Sequence, residues 1–180
     1  MCIRDRDLTQ LVIETVSDEK VMAPDRTWHL ELPDEPVVVR GDASQLHQVL
    51  VNLLSNARKH TGPGTTVLTG VARAADGTAV ITVTDDGAGI PPEFVDRVFA
   101  RFARADASRT VRVPAGAVPA GGGPADQASA EGTSGLGLSI VQSIIEAHGG
   151  TVAVASRPGR TEFTVRLPMR PAAQGDAPSS

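Results

Sequence analysis

GDASQLHQVLVNLLSNARKHT, residues Gly41 to Thr61, reads as a single helix with two different faces. Leu46, Val49, Leu50, Leu53, Leu54 and Ala57 recur at the spacing of an amphipathic helix that buries an apolar stripe. Asn52, Asn56, Lys59 and His60 share another face. Asp42 with Gln45 three residues on predicts a capping-box start, and Gly62-Pro63-Gly64 predicts the stop. A plain surface helix more often carries Glu and Lys pairs beside its stripe, so this polar row asks for another explanation.

Upstream, Leu8, Leu11, Val12, Thr15 and Val16 predict a helix over Asp7 to Met22, broken at Pro24. From Thr27 the pattern alternates: Trp28, Leu30 and Leu32 point one way, and Thr27, His29 and Glu31 the other, as in a half-buried strand. Pro36 to Val39 is a second short strand leading into Gly41. The opening MCIRDR matches nothing periodic, reads as a scar of truncation or engineering, and is set aside from the fold.

Downstream, Thr66 to Ala72 and Ala79 to Asp85 form a hairpin around an Asp76-Gly77 turn signal. Ala79, Ile81, Val83 and Asp85 have the same parity, so the Asp85 carboxylate faces the side that Ile81 and Val83 bury. Two readings stay open there: a carboxylate that caps the Gly87 turn, or one that awaits a ligand's donor. The glycine turn DDGAGIPP leads into a short helix at Glu93, with Phe94, Val98, Phe99 and Phe102 as its apolar side and Phe94 and Phe99 as a small local core. Val113 to Gly132 is nearly all Ala, Gly, Pro and small polar residues, a composition too poor in apolar area to offset its ordering entropy. Ser134-Gly135-Leu136-Gly137-Leu138 begins a helix whose Ile140, Val141, Ile144 and Ile145 face the core, stopped by His148-Gly149-Gly150. Thr151 to Ser156 and Thr161 to Leu167 close as a hairpin, and Pro168 to Ser180 is a loose tail. This order predicts an α/β (α+β) two-layer sandwich, a mixed, mainly antiparallel sheet with helices on one face.

Composition narrows the function classes. A net charge of −4 provides no global basic field, so nucleic acid is not an expected partner and phosphate recognition must be local. One cysteine excludes an internal disulfide framework and fits a reducing compartment. No apolar run approaches the roughly 20 residues of a spanning helix, so no membrane contact is expected of this stretch, which reads as cytoplasmic.

Three features can converge on one ligand. The glycines around Leu136 expose backbone N–H groups at a helix start, where the dipole favours an anion. Asn56 offers a neutral oxygen suited to a hard Mg²⁺ that bridges phosphates, and Lys59 reaches phosphate as a point charge. Asp85 can accept from an amine such as the exocyclic one of adenine. Together they describe a purine nucleoside triphosphate with its metal, although each alone is weak.

The ordered motifs NLLSNARKHT, DDGAGI, VFARFARAD, SGLGLSIV and EAHGG resemble the catalytic ATP-binding domain of bacterial sensor histidine kinases, among the Bergerat-fold ATPases. The resemblance covers Leu8 to Leu167. It implies ATP and Mg²⁺ as cofactors, with Asn56 as metal ligand and Asn52 in the same asparagine box. Lys59 contacts phosphate, His60 lies along the nucleotide, and Asp85 binds the adenine amine in a pocket shaped by Gly87, Gly89 and Ile90. Arg101, Phe102 and Arg104 form a phenylalanine box. Ser134, Gly135, Leu136, Gly137 and Leu138 form the phosphate loop, and a long flexible lid spans about residues 104–133 of a domain running from 7 to 167.

Relatives that hydrolyse ATP carry a glutamate base at the position of Asn52, and an amide cannot take a proton from water, so the resemblance favours phosphoryl transfer to a protein histidine. His29, His47, His60 and His148 do not sit in a phosphoacceptor context, which implies that the acceptor lies on a separate dimerisation domain of a homodimeric parent serving a response regulator. Two alternatives remain: an anti-sigma-type serine kinase of the same fold, and a degenerate nucleotide-binding or protein-interaction module. The second is motivated by Thr133, where relatives often have Gly, and by the short turn Pro158 to Thr161.

Overall fold

A computed structural model describes residues 3–99 and 136–169. Its elements in chain order are β1 (Arg4–Asp7), α1 (Leu8–Met22), β2 (Thr27–Glu31), β3 (Val38–Gly41), α2 (Ala43–His60), β4 (Thr66–Arg73), β5 (Thr78–Asp85), α3 (Pro92–Val95), α4 (Leu136–Ala147), β6 (Thr151–Arg157) and β7 (Arg160–Pro168). Five strands form one sheet in the order β2-β4-β5-β7-β6. The β2–β4 pair is parallel and the other pairs are antiparallel. On β5 and β7 every second residue is buried, so one face of the sheet packs on the helices and the other stays partly open. The result is the expected two-layer sandwich.

α2 lies at the centre of the helical layer. Its buried residues are Leu46, Val49, Leu50, Leu53, Leu54 and Ala57, the stripe read from the sequence. They join Val12 and Val16 of α1, Val141 and Ile145 of α4, and Val67, Ile81, Val83, Phe163 and Val165 of the sheet in one core. α4 ends in a self-contained cap: Gly149 adopts φ 72°, its N–H bonds Glu146 O, and the Gly150 N–H bonds Ile145 O, the Schellman pattern. The shortened last hairpin closes normally on Pro158-Gly159, with Arg157 opposite Arg160 and Gly159 at φ 82°.

Several expectations need correction. Arg4 to Arg6, set aside above, form a strand with Asp7 that pairs antiparallel with Val38–Gly41, and Asp7 caps α1 by accepting from the N–H groups of Thr9 and Gln10. At the other end the last strand runs through Pro168, and Met169 bridges Val39, so order extends past Leu167. On β2 only Trp28 is buried, and Leu30 is 38% exposed because β2 is an edge strand with one neighbour. Ile140 is 36% exposed at the flank of the α4 stripe. Phe94 is 45% exposed, whereas Phe99 reaches the core and sets its ring edge-on to Phe163 at 6.2 Å.

The start of α2 also departs from the capping box. The Asp42 side chain accepts from Gln45 N at 3.1 Å as expected, but Gln45 Oε1 is buried without a partner among the described residues. The Asp42 N–H goes instead to His148 Nε2 at 3.1 Å, while His148 Nδ1 sits 2.8 Å from Ile144 O. His148 therefore donates from Nδ1 and accepts at Nε2. Gly41 makes room for this ring: a Cβ there would lie 3.0 Å from His148 Cδ2.

Leu50, fully buried on α2, tests this packing. Leu50→Ala should lower unfolding free energy by about 2–5 kcal/mol in urea denaturation, and a loss below about 1 kcal/mol would contradict its place in the core.

Candidate functional site

The polar row of α2 emerges beside the stripe that α2 buries. Asn52 is half-buried and its Nδ2 donates to Gly137 O at 3.3 Å, tying α2 to the first turn of α4. One turn on, Asn56 is half-buried and its amide has no hydrogen-bond partner among the described residues. Lys59 and His60 are exposed at the end of the helix, and Lys59 forms no ion pair among the described residues. Arg58 and Lys59 place positive charge where the negative end of the helix dipole favours it.

Asp85 ends β5 on the buried face, about 7% exposed, as strand parity requires. Its Oδ1 accepts from Gly87 N at 3.0 Å, so the turn-capping reading holds. That is one hydrogen bond for a group with about four acceptor sites, so the carboxylate still has capacity for another donor. Burial raises the Asp85 pKa and the neighbouring Asp86 carboxylate adds to the rise, while the Gly87 N–H opposes it.

The glycine turn after Asp85 is packed from both sides. A Cβ on Gly87 would lie 2.7 Å from Thr61 Cγ2, so the turn abuts the end of α2. Gly89 has φ 85° and a Cβ there would lie 2.5 Å from Arg157 O, so only glycine fits. Ile90 N donates to Ser156 Oγ at 2.7 Å, which pins the turn to the last hairpin. Asn52, Asn56, Lys59, Asp85, Gly87, Gly89, Ile90, Gly137 and Leu138 thus come from elements that pack on one another. An open recess of about 640 Å³ at this end of the sheet is bordered by Asp85 and Asp86, by Thr66, Leu68 and Thr84, and by the turn from Arg157 to Arg160.

Two neighbours escaped sequence reasoning. Thr161 lies directly across the ladder from Asp85, about 5% exposed on the same inner face, with its hydroxyl 3.1 Å from Ser156 Oγ. Alternation along the last strand places Thr161 inward, but only the register with β5 sets it beside Asp85. Arg26 at the end of α2 is the other, and no local pattern announces it. Arg101, Phe102, Arg104, Ser134, Gly135, Thr133 and the Val113 to Gly132 stretch lie outside the described residues. Leu136 is the first residue of α4.

Among the described residues no three His, Cys, Asp or Glu side chains cluster as metal ligands. A divalent cation here would take its ligands from phosphates, water and one neutral amide oxygen, the donor set that suits Mg²⁺. The half-buried, unpartnered Asn56 amide fits that need.

The fold agrees with comparisons to known proteins. Residues 41–171 match the family model for histidine kinase-, DNA gyrase B-, and HSP90-like ATPases, and the chain belongs to that family. Over 163 residues it is 46% identical to the probable sensor histidine kinase TcrY of Mycobacterium tuberculosis, and over 169 residues 45% identical to the sensor histidine kinase TrcS of the same organism. These alignments cover 91% and 92% of this chain but 30% of each relative, so the chain spans about a third of their length. The structure of the mycobacterial sensor histidine kinase MprB superposes with a TM-score of 0.71 at 28% identity, covering 95% of this chain and all of that one. Family membership implies nucleotide binding. Among the described residues no helix is long and apolar enough to cross a membrane.

The raised pKa of Asp85 has a sign that can be tested. Below its unfolded value, near 3.8, the carboxyl is protonated in both states and costs nothing. As pH rises through the folded value, ionising the buried group opposes folding. Asp85→Asn keeps an oxygen for the Gly87 N–H and removes that cost, so it should raise the Tm of the nucleotide-free protein at neutral pH and give little gain at about pH 3. An equal change at both pH values would contradict the assignment.

Proposed function

We propose that this chain is the catalytic ATP-binding domain of a sensor histidine kinase, which binds Mg-ATP and delivers the γ-phosphoryl group to a histidine on a dimerisation domain. The observation that carries the reading is the pairing of a buried, under-bonded Asp85 with the Asn56–Lys59 row across the Thr61–Gly87 contact. Asp85 accepts the adenine amine and so selects the base. Asn56 holds Mg²⁺ through its amide oxygen, and the metal when bound supplies charge neutralisation at the phosphates. Lys59 adds a point charge at the phosphates, and the backbone N–H groups at the α4 start, with Gly135 and Gly137, cradle them. His60 lies along the nucleotide, and Arg101, Phe102 and Arg104 act under the lid. Phosphoryl transfer asks the protein mainly for positioning and electrostatics, which these groups provide.

Asn52 supports transfer over hydrolysis. Its amide donates to Gly137 O, a bond that an ionised glutamate could not make, and it cannot act as a base toward water. The sensor-kinase relatives favour histidine over serine as acceptor, and the intact hairpin and turn packing favour a working nucleotide site over a degenerate module. The parent acts as a homodimer with a downstream response regulator, and this domain works in the cytoplasm.

Asp85→Asn should weaken ATP binding about tenfold or more, the order expected when a charged hydrogen-bond acceptor is lost. Asn56→Ala should abolish the Mg²⁺ dependence of binding. Persistence of that dependence, or unchanged affinity in Asp85→Asn, would sink the respective role. With a separately supplied phosphoacceptor domain, [γ-³²P]ATP should yield an acid-labile, alkali-stable phosphoprotein, and an acid-stable product would indicate a hydroxyl acceptor instead.

A further inference from the structure

The two principal helices of the site end in different ways. α4 satisfies its last carbonyls with its own following glycines. α2 does not: Thr61 is extended, with φ −122° and ψ 154°, and Gly62 is not among the glycines with positive φ. The carbonyls that a helix end leaves open must then be met from elsewhere. Two of them, those of Arg58 and Thr61, are met by Arg26, from the turn before β2, more than 30 residues away in the chain. Its Nη2 donates to Arg58 O at 2.7 Å and to Thr61 O at 2.6 Å, and its Nε donates to Thr61 Oγ1 at 3.2 Å. Asp25 holds Nη1 at 2.8 Å, and the Arg26 side chain is only 11% exposed.

These bonds bracket Lys59 and His60, since the two clamped carbonyls belong to Arg58 and Thr61. They also fix a rotor. The Thr61 hydroxyl donates to Ala57 O at 2.7 Å and accepts from Arg26, so its hydrogen and a lone pair are both committed. With Oγ1 fixed, the Thr61 methyl has one place to go, and that place is against Gly87, where a Cβ would come within 2.7 Å. The contact sets the spacing between the end of α2 and the turn that follows Asp85. A guanidinium does this with a planar fork and a permanent charge at the negative end of the helix, which an ammonium could match only in charge.

We propose that Arg26 is a positioning residue for the nucleotide site, holding the Lys59–His60 segment and, through the Thr61 methyl, the Asp85–Gly87 turn at their working separation. The inference rests on the nucleotide reading of the site. Its test compares Arg26→Met, Arg26→Lys and Thr61→Ser with Arg73→Met, which removes a surface arginine bonded to Pro36 O and paired with Glu35. Amide NMR of the nucleotide-free protein and ATP affinity are measured on each. Arg26→Met should shift the Gly87 amide resonance and weaken ATP about tenfold, Arg26→Lys should recover part of the loss, and Arg73→Met should change neither. Thr61→Ser keeps the hydroxyl and the clamp but loses the methyl, so it should weaken ATP several-fold with little change in Tm. It also carries the test if Arg26→Met does not fold. Wild-type protein that binds ATP while Arg26→Met, or failing that Thr61→Ser, leaves both the Gly87 resonance and the affinity unchanged would overturn the clamp alone. Wild-type protein that does not bind ATP would overturn the site reading, and the proposed role with it.

Discussion

Burial of one face of α2 is the constraint on which the rest depends. Leu46, Val49, Leu50, Leu53, Leu54 and Ala57 each remove apolar area from water, worth about 1.5–3 kcal/mol for a large side chain. A rotation of α2 by one residue would turn the helix about 100° and carry either Asn52 and Asn56 or, in the other direction, His47, Ser55 and Arg58 into the core, where an unpartnered polar group is costly. The apolar stripe therefore fixes the rotation of the helix. The rotation fixes where Asn52, Asn56 and Lys59 emerge, and the sheet beneath determines what they face. Core packing and site geometry are here one requirement on one helix.

The two ends of that helix are held by side chains from far along the chain. His148 accepts the Asp42 N–H at the start, and Arg26 gathers the Arg58 and Thr61 carbonyls at the finish. Each replaces a local device: His148 takes the role that Gln45 would have in a capping box, and Arg26 the role of a left-handed glycine. A helix capped only by its neighbours in sequence is independent of the rest of the fold. α2 is instead tied to the end of α4 and to the entrance of β2, so its position reports on the packing of both.

The sequence was legible wherever a pattern is local. The stripe of α2, the parity that turns Asp85 inward, the Asp76-Gly77 turn and the glycine stop after His148 each depend on a few neighbouring residues, and each was read correctly. Asn56, Lys59, Asp85 and the glycines around Leu136 follow from their own chemistry and the other site residues from motif resemblance, and the structure packs together the elements that bear those it describes. What stayed hidden is long-range. Arg4–Asp7 has no periodicity, and only the presence of β3 makes it a strand. Leu30, Phe94 and Ile140 fit apolar patterns, but their exposure is decided by what does or does not lie opposite. Neither Arg26 nor His148 looks unusual as a residue, because what matters in each is a partner distant in sequence. Asp85 shows the reverse case: its burial raises the cost of its own charge, a local conflict of the kind expected where function outweighs stability.

The central claim is that the polar row of α2 and the buried Asp85 together form an adenine nucleotide site. Calorimetric titration of the chain with ATP and GTP, each with and without Mg²⁺, tests it most directly. Adenine presents an amine to Asp85 where guanine presents a carbonyl oxygen, which a carboxylate repels. The account predicts saturable binding of ATP that strengthens with Mg²⁺ and exceeds that of GTP by at least about tenfold. Equal affinity for the two bases, or no heat of binding from folded protein, would contradict it.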